Sequence, residues 1–183
     1  MNTGNWRDSL YKYTDKEINE IVHEATIIVD SREKENKHIT KYFEDKGIKW
    51  AVEKLDYGDY SIRVDLPTTN RPLYLTDHIS IERKANLNEL SGNLTHNRDR
   101  FVAEFERAKG KIYLLIENAE YEDIEKELYT TKFNKKAFRA SLEAFEQRYN
   151  INIHYQKDTN VTGYWIYRTL TSYLRELLKQ GKI

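Results

Sequence analysis

The order of segments in this 183-residue chain predicts an α/β fold with a β-sheet at its centre. Two observations support this. Short apolar runs such as "ATIIVD" and "KIYLLIEN" have the length and composition of buried strands. Between them lie longer segments whose apolar residues recur at helical spacing. The resulting order is strand, helix, several strands, helix, strand, helix, strand, helix, which is typical of a mixed α/β domain.

The first part of the chain predicts a helix, a strand and a second helix. Thr14 and Glu17 have the spacing of a capping box, in which the two side chains satisfy backbone N–H groups at a helix start. This predicts a helix over residues 15–24. The run "ATIIVD" predicts a strand that ends at Asp30. "NKHITKYFEDKG" predicts the second helix, which Gly47 stops.

Three strand-like segments follow: "IKWAVEKL", "DYSIRVDL" and "LYLTDHISIERK". The second and third are predicted to form a hairpin around the loop bracketed by Pro67 and Pro72. "NELSGNLTHNRDRFVAEFERAKG" then predicts a helical segment with Phe101 on its apolar face. After the strand "KIYLLIEN" come a helix over about 134–149, the strand "INIHYQ" and a final helix over about 161–180.

The composition excludes several classes of function. The chain has 30 basic and 30 acidic residues, so net charge argues neither for nor against a polyanionic partner. It has no cysteine, which excludes disulfides, zinc ribbons and thiol nucleophiles. No apolar run approaches the roughly 18 residues of a membrane span, and no signal peptide is evident. We therefore expect a cytoplasmic protein without a membrane partner, with a helical extension over 1–25 and one globular domain over 26–183.

Strand alternation brings out a chemical pattern in "HISIERK". Side chains alternate along a strand, so Glu82 and Lys84 share one face while Arg83 lies on the other. A hard divalent cation binds carboxylate oxygens, and a lysine beside it can position or deprotonate an attacking water. In so charged a chain, a lone Glu-x-Lys is more often a strand with a solvated face. "VDSRE" and "YGDY" add further carboxylates, and the ordered triple is more specific than any one segment.

Together, "IIVDSRE", "LDYGDYSI" and "ISIERKANLNEL" resemble the nuclease domain of the XPF-type structure-specific endonucleases. Further similarity lies in "NKHI", "FERAKGKIYLLIEN" and "ASLEAFEQRY". The resemblance is closest to small stand-alone members from bacteria and phages. It implies the fold of the PD-(D/E)XK superfamily, a restriction-endonuclease-like core in which helices flank a central mixed β-sheet. It also implies a Mg²⁺- or Mn²⁺-dependent endonuclease that cuts branched DNA such as flaps, forks and junctions, without an organic cofactor.

The resemblance also implies roles for individual residues. Asp59 and Glu82 would bind the metal, together with the backbone carbonyl of Arg83, and Lys84 would assist the water. Asp30 and Glu33 would complete the acidic wall of the catalytic site. The arginines of the same motifs, Arg32 and Arg83, would lie beside the site and contact DNA.

One position departs from the family signature. The aspartate that closes the motif falls on Asn88, which has no charge, and Glu89 follows it. The chain is therefore interpreted as an active nuclease, with a DNA-binding module that has a decayed nuclease site as the main alternative. A third interpretation, which ranks below both, is a structural or protein-interaction domain with coincidental motifs. The apolar positions of "GYWIYRTLTSYLRELL" would allow a homodimer, and core packing explains them at least as well.

Local charge indicates where DNA would bind. Between Arg83 and Lys111 there are seven basic and four acidic residues, whereas "ENAEYEDIEKE" carries an acidic excess. Arg98 and Arg100, before a predicted helix, are the first candidates for phosphate contacts, and Arg107 is a further one. A solvated helix start is an equal alternative for the first two. None of the five histidines has the spacing of a metal site.

Overall fold

The computed structural model describes residues 12–183, which form a seven-stranded sheet covered by helices on both faces. The strands are β1 (Thr26–Asp30), β2 (Trp50–Glu53), β3 (Tyr60–Val64), β4 (Leu73–Tyr74), β5 (Ile79–Lys84), β6 (Lys111–Glu117) and β7 (Ile151–Gln156). The helices are α1 (Asp15–Glu24), α2 (Lys37–Asp45), α3 (Leu87–Leu94), α4 (Arg98–Arg107), α5 (Tyr121–Glu125), α6 (Lys135–Arg148) and α7 (Thr162–Lys179).

The sheet is mixed, as predicted. Its order is β2-β1-β3-β5-β6-β7, with β4 paired to β3 outside this path. Strand β3 runs antiparallel to β1, β4 and β5, whereas the pairs β1–β2, β5–β6 and β6–β7 are parallel. The central strands β1, β3 and β5 are the ones that carry the three charged motifs.

Two apolar cores lie on opposite faces of the sheet. On one face, α1, α2 and α7 cover β1, β3 and β5, and the core includes Phe43, Ile62 and Leu170. On the other face, α3, α4 and α6 cover β6, with Phe101 and Phe138 in the core. Alternation along β6 divides its residues between the two cores. Each face of the sheet is therefore sealed by its own set of helices.

Most of the predicted elements are confirmed. The capping box of Thr14 and Glu17 is present at the start of α1, and Gly47 follows α2 with a φ of 63°. The hairpin around the proline loop forms, but its second segment divides into β4 and β5. The long segment after the third motif likewise forms two helices, α3 and α4, and the acidic segment contains the unpredicted helix α5.

The predicted extension over 1–25 is described only from residue 12 onward. Within that part, α1 packs against α7, and Ile18, Ile21 and Val22 are buried in the first core. Between Lys12 and Ile183, no helix is both long and apolar enough to cross a bilayer.

Gly110, between α4 and β6, has no space for a side chain. An added Cβ would lie 2.4 Å from the carbonyl carbon of His78, a backbone atom that cannot move without disturbing β5. We expect Gly110→Ala to destabilise the domain by about 1–3 kcal/mol. Gly92→Ala, in α3 with nothing within 4 Å of the new methyl group, should stabilise it by ~0.5–1 kcal/mol. Urea unfolding of both variants checks this, and equal midpoints would contradict it.

Candidate active site

The three motifs meet where β1, β3 and β5 lie side by side. The backbone N–H of Asp30 donates to the carbonyl oxygen of Asp59 at 2.7 Å, and the N–H of Asp59 donates to that of Ile81 at 2.8 Å. Gly58, before Asp59, has a φ of 71°, and a Cβ there would come within 2.9 Å of the Ser80 Cβ. A glycine is therefore required for this close approach to β5.

A cleft of about 240 Å³ opens at this junction. One side is formed by residues of the three motifs: Arg32, Gly58, Asp59, Glu82 and Lys84. The opposite side comes from α3, α4 and the turn between them: Glu89, Asn93, Asn97, Arg100, Phe101 and Glu104. The structure thus gathers Asp59, Glu82 and Lys84, which are separated in sequence, around one cleft.

Lys84 is held by several neighbours. Its Nζ donates to Oε1 of Glu82 at 2.7 Å, lies 3.7 Å from Oε1 of Glu89 and sits 5.1 Å from the centre of the Phe101 ring. The side chains of Glu82 and Lys84 are both more than nine-tenths buried. Oδ2 of Asp59 accepts a hydrogen bond of 2.8 Å from the backbone N–H of Arg83. The ammonium and both carboxylates are therefore fixed before any ligand binds.

Electrostatics set this cluster apart from the surface charges. Burial and then repulsion from Glu82 raise the pKa of Asp59 well above its ordinary value. Burial also raises the pKa of Glu82, although Lys84 opposes this. The pKa of Lys84 is raised because Glu82 and Asp59 outweigh the effect of its burial. The protein therefore holds two carboxylates where their negative charge is costly and keeps the lysine protonated.

The donors present fit a hard divalent cation. Mg²⁺ is commonly held by one or two carboxylates, completed by water and substrate phosphate oxygens, and needs no cage of protein ligands. Within residues 12–183, no group of three or more histidine, cysteine, aspartate or glutamate side chains is arranged as a ready metal site. Asp59 and Glu82 supply the carboxylates, and the raised pKa of each is the expected sign of a position that a cation would stabilise.

Asp30 holds Arg32. The Asp30 carboxylate is completely buried and accepts hydrogen bonds from Nε, Nη2 and the backbone N–H of Arg32 and from the backbone N–H of Leu55. Burial would raise the pKa of Asp30, but these hydrogen bonds outweigh it and the pKa is lowered. Arg32, about half exposed, lines the cleft. Asp30 therefore orients the arginine and has little capacity left to bind a metal.

The side chains of Arg83 and Glu33 do not line the cleft, and that of Arg83 lies on the other face of β5. The Arg83 side chain is 6% exposed and pairs with Glu117 on β6 at 2.6 Å and with Glu33 at 3.2 Å. Its guanidinium is buried and paired with two carboxylates, which speaks against the DNA contact expected for Arg83. The expected place of Glu33 in the acidic wall is likewise not observed, because Glu33 turns to Arg83.

The three candidate phosphate-binding arginines differ in exposure and in position relative to the cleft. Arg100 is exposed and lines the cleft, and Arg107 is exposed in a neighbouring groove that also contains Arg32. Arg98 instead turns inward. Its guanidinium lies 5.5 Å from the centre of the Phe145 ring and donates to the carbonyl oxygen of Leu94. The structure therefore favours Arg100 and Arg107 as DNA contacts over Arg98.

The departure at Asn88 lies outside the cleft. Oδ1 of Asn88 accepts a hydrogen bond of 2.7 Å from the backbone N–H of Thr130, so this side chain ties α3 to the loop before α6. Asn86 caps α3, and the first turn of the helix carries Glu89 into the cleft, where Glu89 also accepts from the backbone N–H of Ala85. A carboxylate therefore does approach Lys84 from α3, one residue later than the signature predicts.

The sequence did not reveal the second wall of the cleft. Glu104, Asn93, Asn97 and Phe101 face the motif residues, and Glu104 is close enough to raise the pKa of Glu82 further. Their spacing contained a signal, because residues four apart share a helix face, as Arg100 and Glu104 do. To use this spacing, one must know where α3 ends and α4 begins, and the helical pattern of the sequence continues across that break.

Asp59→Asn should stabilise the protein at high pH in EDTA. Well below pH 4, the ordinary pKa range of an aspartate, Asp59 is protonated in both the folded and the unfolded state, and the raised pKa has no effect on stability. Between the ordinary pKa and the raised pKa, ionisation is favoured only in the unfolded state, so stability falls as the pH rises, and above the raised pKa the full cost of ionising the buried carboxylate is present. Asparagine avoids this cost and can still accept from the Arg83 N–H.

Urea unfolding from pH 5 to pH 8 measures this effect. The gain of Asp59→Asn over wild type should grow with pH, and each ~1 kcal/mol should correspond to about 2–4 °C in melting temperature. Mg²⁺ at pH 8 should stabilise wild type more than the variant. A variant that is less stable than wild type at pH 8 in EDTA would contradict the electrostatic account.

Comparisons with known proteins agree with this architecture. Residues 29–169 match the ERCC4 domain. Two solved structures share the fold, each with a TM-score of 0.58: XPF from Aeropyrum pernix, at 16% identity, and the same protein in complex with DNA, at 17%. The alignments cover 86% and 85% of this chain but only 64% and 65% of those chains. No curated protein sequence matches. With the ERCC4 domain spanning most of its length and an XPF-like fold, the chain belongs to the ERCC4 domain family.

Proposed function

We propose that this protein is a metal-dependent DNA endonuclease that hydrolyses phosphodiester bonds. The observation that carries the proposal is the arrangement of Asp59, Glu82 and Lys84. Two carboxylates with raised pKa and a protonated lysine face one open cleft at the junction of three strands. Such perturbed groups in a cleft are typical of catalytic sites.

Each residue of the cluster has a separate task in the proposed reaction. Asp59 and Glu82 would hold Mg²⁺ or Mn²⁺, together with the backbone carbonyl of Arg83. A bound divalent cation lowers the pKa of water and stabilises charge on a phosphoryl oxygen. Lys84, kept charged by Glu82, would donate hydrogen bonds to the attacking water or to the scissile phosphate. Because its pKa is raised, Lys84 is better suited to be a donor than a general base.

Two arginines would bind the DNA backbone around the cleft. Arg32, whose Nε and Nη2 donate to Asp30, presents its Nη1 from the motif side, and Arg100 faces it from α4. Arginine matches phosphate geometry because it offers several donors in one plane. Arg107 extends this positive rim into the adjacent groove. A phosphate bound at the centre of the cleft would thus have cationic neighbours on both sides.

The proposed substrate is branched or structured DNA, such as a flap, fork or junction. Family membership and the DNA complex of XPF from Aeropyrum pernix support DNA as the partner. Because the chain spans less than two thirds of that XPF chain, activity and substrate are proposed from the domain alone. A homodimer and a cytoplasmic location belong to the same proposal.

A second candidate function is a DNA-binding module with a decayed nuclease site, which Asn88 would favour. The hydrogen bond between Asn88 and the backbone N–H of Thr130 weakens this alternative, because it shows that the Asn88 side chain does not line the cleft. The approach of Glu89 to Lys84 weakens it further. We therefore favour the active enzyme.

Glu82→Gln should abolish cleavage. The amide keeps the size of the side chain but removes the charge that binds metal and holds Lys84, and a loss of several kcal/mol corresponds to about 100-fold or more in rate. The assay uses labelled linear, flap and four-way-junction DNA with Mg²⁺, Mn²⁺ or EDTA. Glu20→Gln, at an exposed glutamate of α1, is the matched control.

The outcomes separate the two candidate functions. Wild type and Glu20→Gln should cut at least one substrate in a metal-dependent manner. Binding without cutting by wild type would favour the decayed site. Cutting that survives Glu82→Gln would overturn the assignment of the catalytic residues.

Arg100→Ala should weaken DNA binding more than Arg98→Ala. Removal of one phosphate contact should lower affinity across sequences and reduce the salt slope of log K by about 1. Arg98 packs on Phe145 and should affect stability instead. Fluorescence anisotropy at several salt concentrations in EDTA checks this, and equal slopes for the two variants would count against the cleft as the DNA site.

A further inference from the structure

A chain of hydrogen-bonded side chains, His38, Glu117 and Arg83, lies on the face of β5 opposite the cleft and connects to the cleft through the backbone. We propose that His38 and Glu117 are positioning residues that hold Asp59 in place by fixing Arg83. The catalytic consequence of this proposal rests on the proposed nuclease function. The mechanical connection does not, because it stands on contacts within the folded protein.

The chain consists of three successive contacts. Nε2 of His38, on α2, lies 2.7 Å from Oε1 of Glu117 at the end of β6. Oε2 of Glu117 accepts from Nε of Arg83 at 2.8 Å and lies 2.6 Å from its Nη2, which makes a two-pronged pair. The backbone N–H of Arg83 then donates to Oδ2 of Asp59 at 2.8 Å. These contacts run from the helix layer, through the sheet, to the cleft.

The protonation of this chain follows from its surroundings. Burial would raise the pKa of Glu117, but the polar groups around it, Thr162, His38 and Arg83, outweigh burial and lower the pKa. Glu117 is therefore an anion that can only accept hydrogen bonds. Nε2 of His38 must then carry the proton, and His38 donates to Glu117. This donor fixes one carboxylate oxygen and leaves the other for Arg83.

The position of Arg83 matters to the cleft because its side chain and its peptide belong to one strand. The side chains of Glu82 and Lys84 point into the cleft on either side of it in sequence. A shift of the Arg83 guanidinium would turn the strand and move the N–H that orients Asp59. Because the guanidinium and Glu117 are both almost fully buried, weakening their pair leaves charge without a good partner. The buried ion pair therefore favours a single position for the end of β5.

Glu33 has a supporting part in the same arrangement. Its Oε1 lies 3.2 Å from Nη1 of Arg83, on the other side of the guanidinium from the Glu117 contact atoms. The "VDSRE" motif therefore serves both faces of the sheet, since Arg32 reaches the cleft and Glu33 reaches Arg83. This explains how Glu33 would influence catalysis without lining the cleft. Of the side chains linked here, His38 is the one that α2 supplies.

The test compares His38→Leu with His38→Gln in the full-length protein. Glutamine places an N–H donor near the position of Nε2, whereas leucine fills the space without a donor. His23→Ala, at an exposed histidine of α1 that pairs with Glu24, is the matched control. Four quantities are measured: the hydrogen-exchange rate of the Arg83 amide, kcat and KM on a cleaved DNA, and Mn²⁺ affinity by calorimetry.

His38→Leu should raise the exchange rate of the Arg83 amide by about tenfold, and lower kcat and Mn²⁺ affinity by about tenfold, as loss of such supporting contacts does elsewhere. KM for DNA should change far less. His38→Gln should restore the exchange rate, kcat and Mn²⁺ affinity to near wild type, and His23→Ala should leave them unchanged. The melting temperature of His38→Leu should fall by only a few degrees, the cost of one hydrogen bond lost by a buried carboxylate.

Two results would overturn the proposal. One is a wild-type exchange rate at Arg83 in His38→Leu. The other is a rise in exchange spread evenly over β5, β6 and β7 with a lower melting temperature, which would make His38 a general stabiliser. If wild type itself neither binds Mn²⁺ nor cuts DNA, the proposed function fails, while the exchange measurement still decides the connection between His38 and Asp59.

Discussion

The burial of two neighbouring carboxylates, Asp59 and Glu82, is the constraint on which the rest of this structure depends. The sheet brings both carboxylates to the cleft, and their raised pKa shows that burial and proximity oppose their charge. Lys84 offsets only part of this, because it is one ammonium between two acids. The fold keeps the two carboxylates close together because their strands belong to a large sheet with a packed core on each face. Such stored electrostatic cost is common where a protein prepares a site for a cation.

The two faces of β5 have different roles: one presents the candidate catalytic side chains, and the other holds the strand in position. Glu82 and Lys84 face the cleft, while Arg83, between them, lies buried with Glu33 and Glu117 on the opposite face. The Glu-Arg-Lys triplet is therefore one functional unit with two orientations. Its central residue acts on the cleft through its backbone, and its outer residues act through their side chains.

Much of this could be predicted from the sequence, because it rests on local rules. Strand alternation correctly separated Arg83 from Glu82 and Lys84, and the capping box located α1. The same alternation places Arg83 on the face opposite the catalytic residues, and this already argues against Arg83 as a DNA contact. The partners of Arg83 were beyond reach, because Glu117 lies 34 residues away and reaches it only through the parallel pairing of β5 and β6.

The second wall of the cleft was missed for a different physical reason. One residue of offset at the start of a helix rotates every later side chain by about 100°. The cap at Asn86 and the break between α3 and α4 decide that Glu89 and Arg100 face the cleft while Asn88 and Arg98 do not. Sequence periodicity locates helices well and their ends less well, and the function of this wall depends on the ends.

The central claim is that Asp59 and Glu82 form a divalent cation site, and anomalous diffraction from a Mn²⁺-soaked crystal tests it most directly. The account predicts an anomalous peak within bonding distance of both carboxylates, with Lys84 beside it. A crystal that binds Mn²⁺ only elsewhere, or that shows no peak between Asp59 and Glu82 at saturating metal, would contradict it.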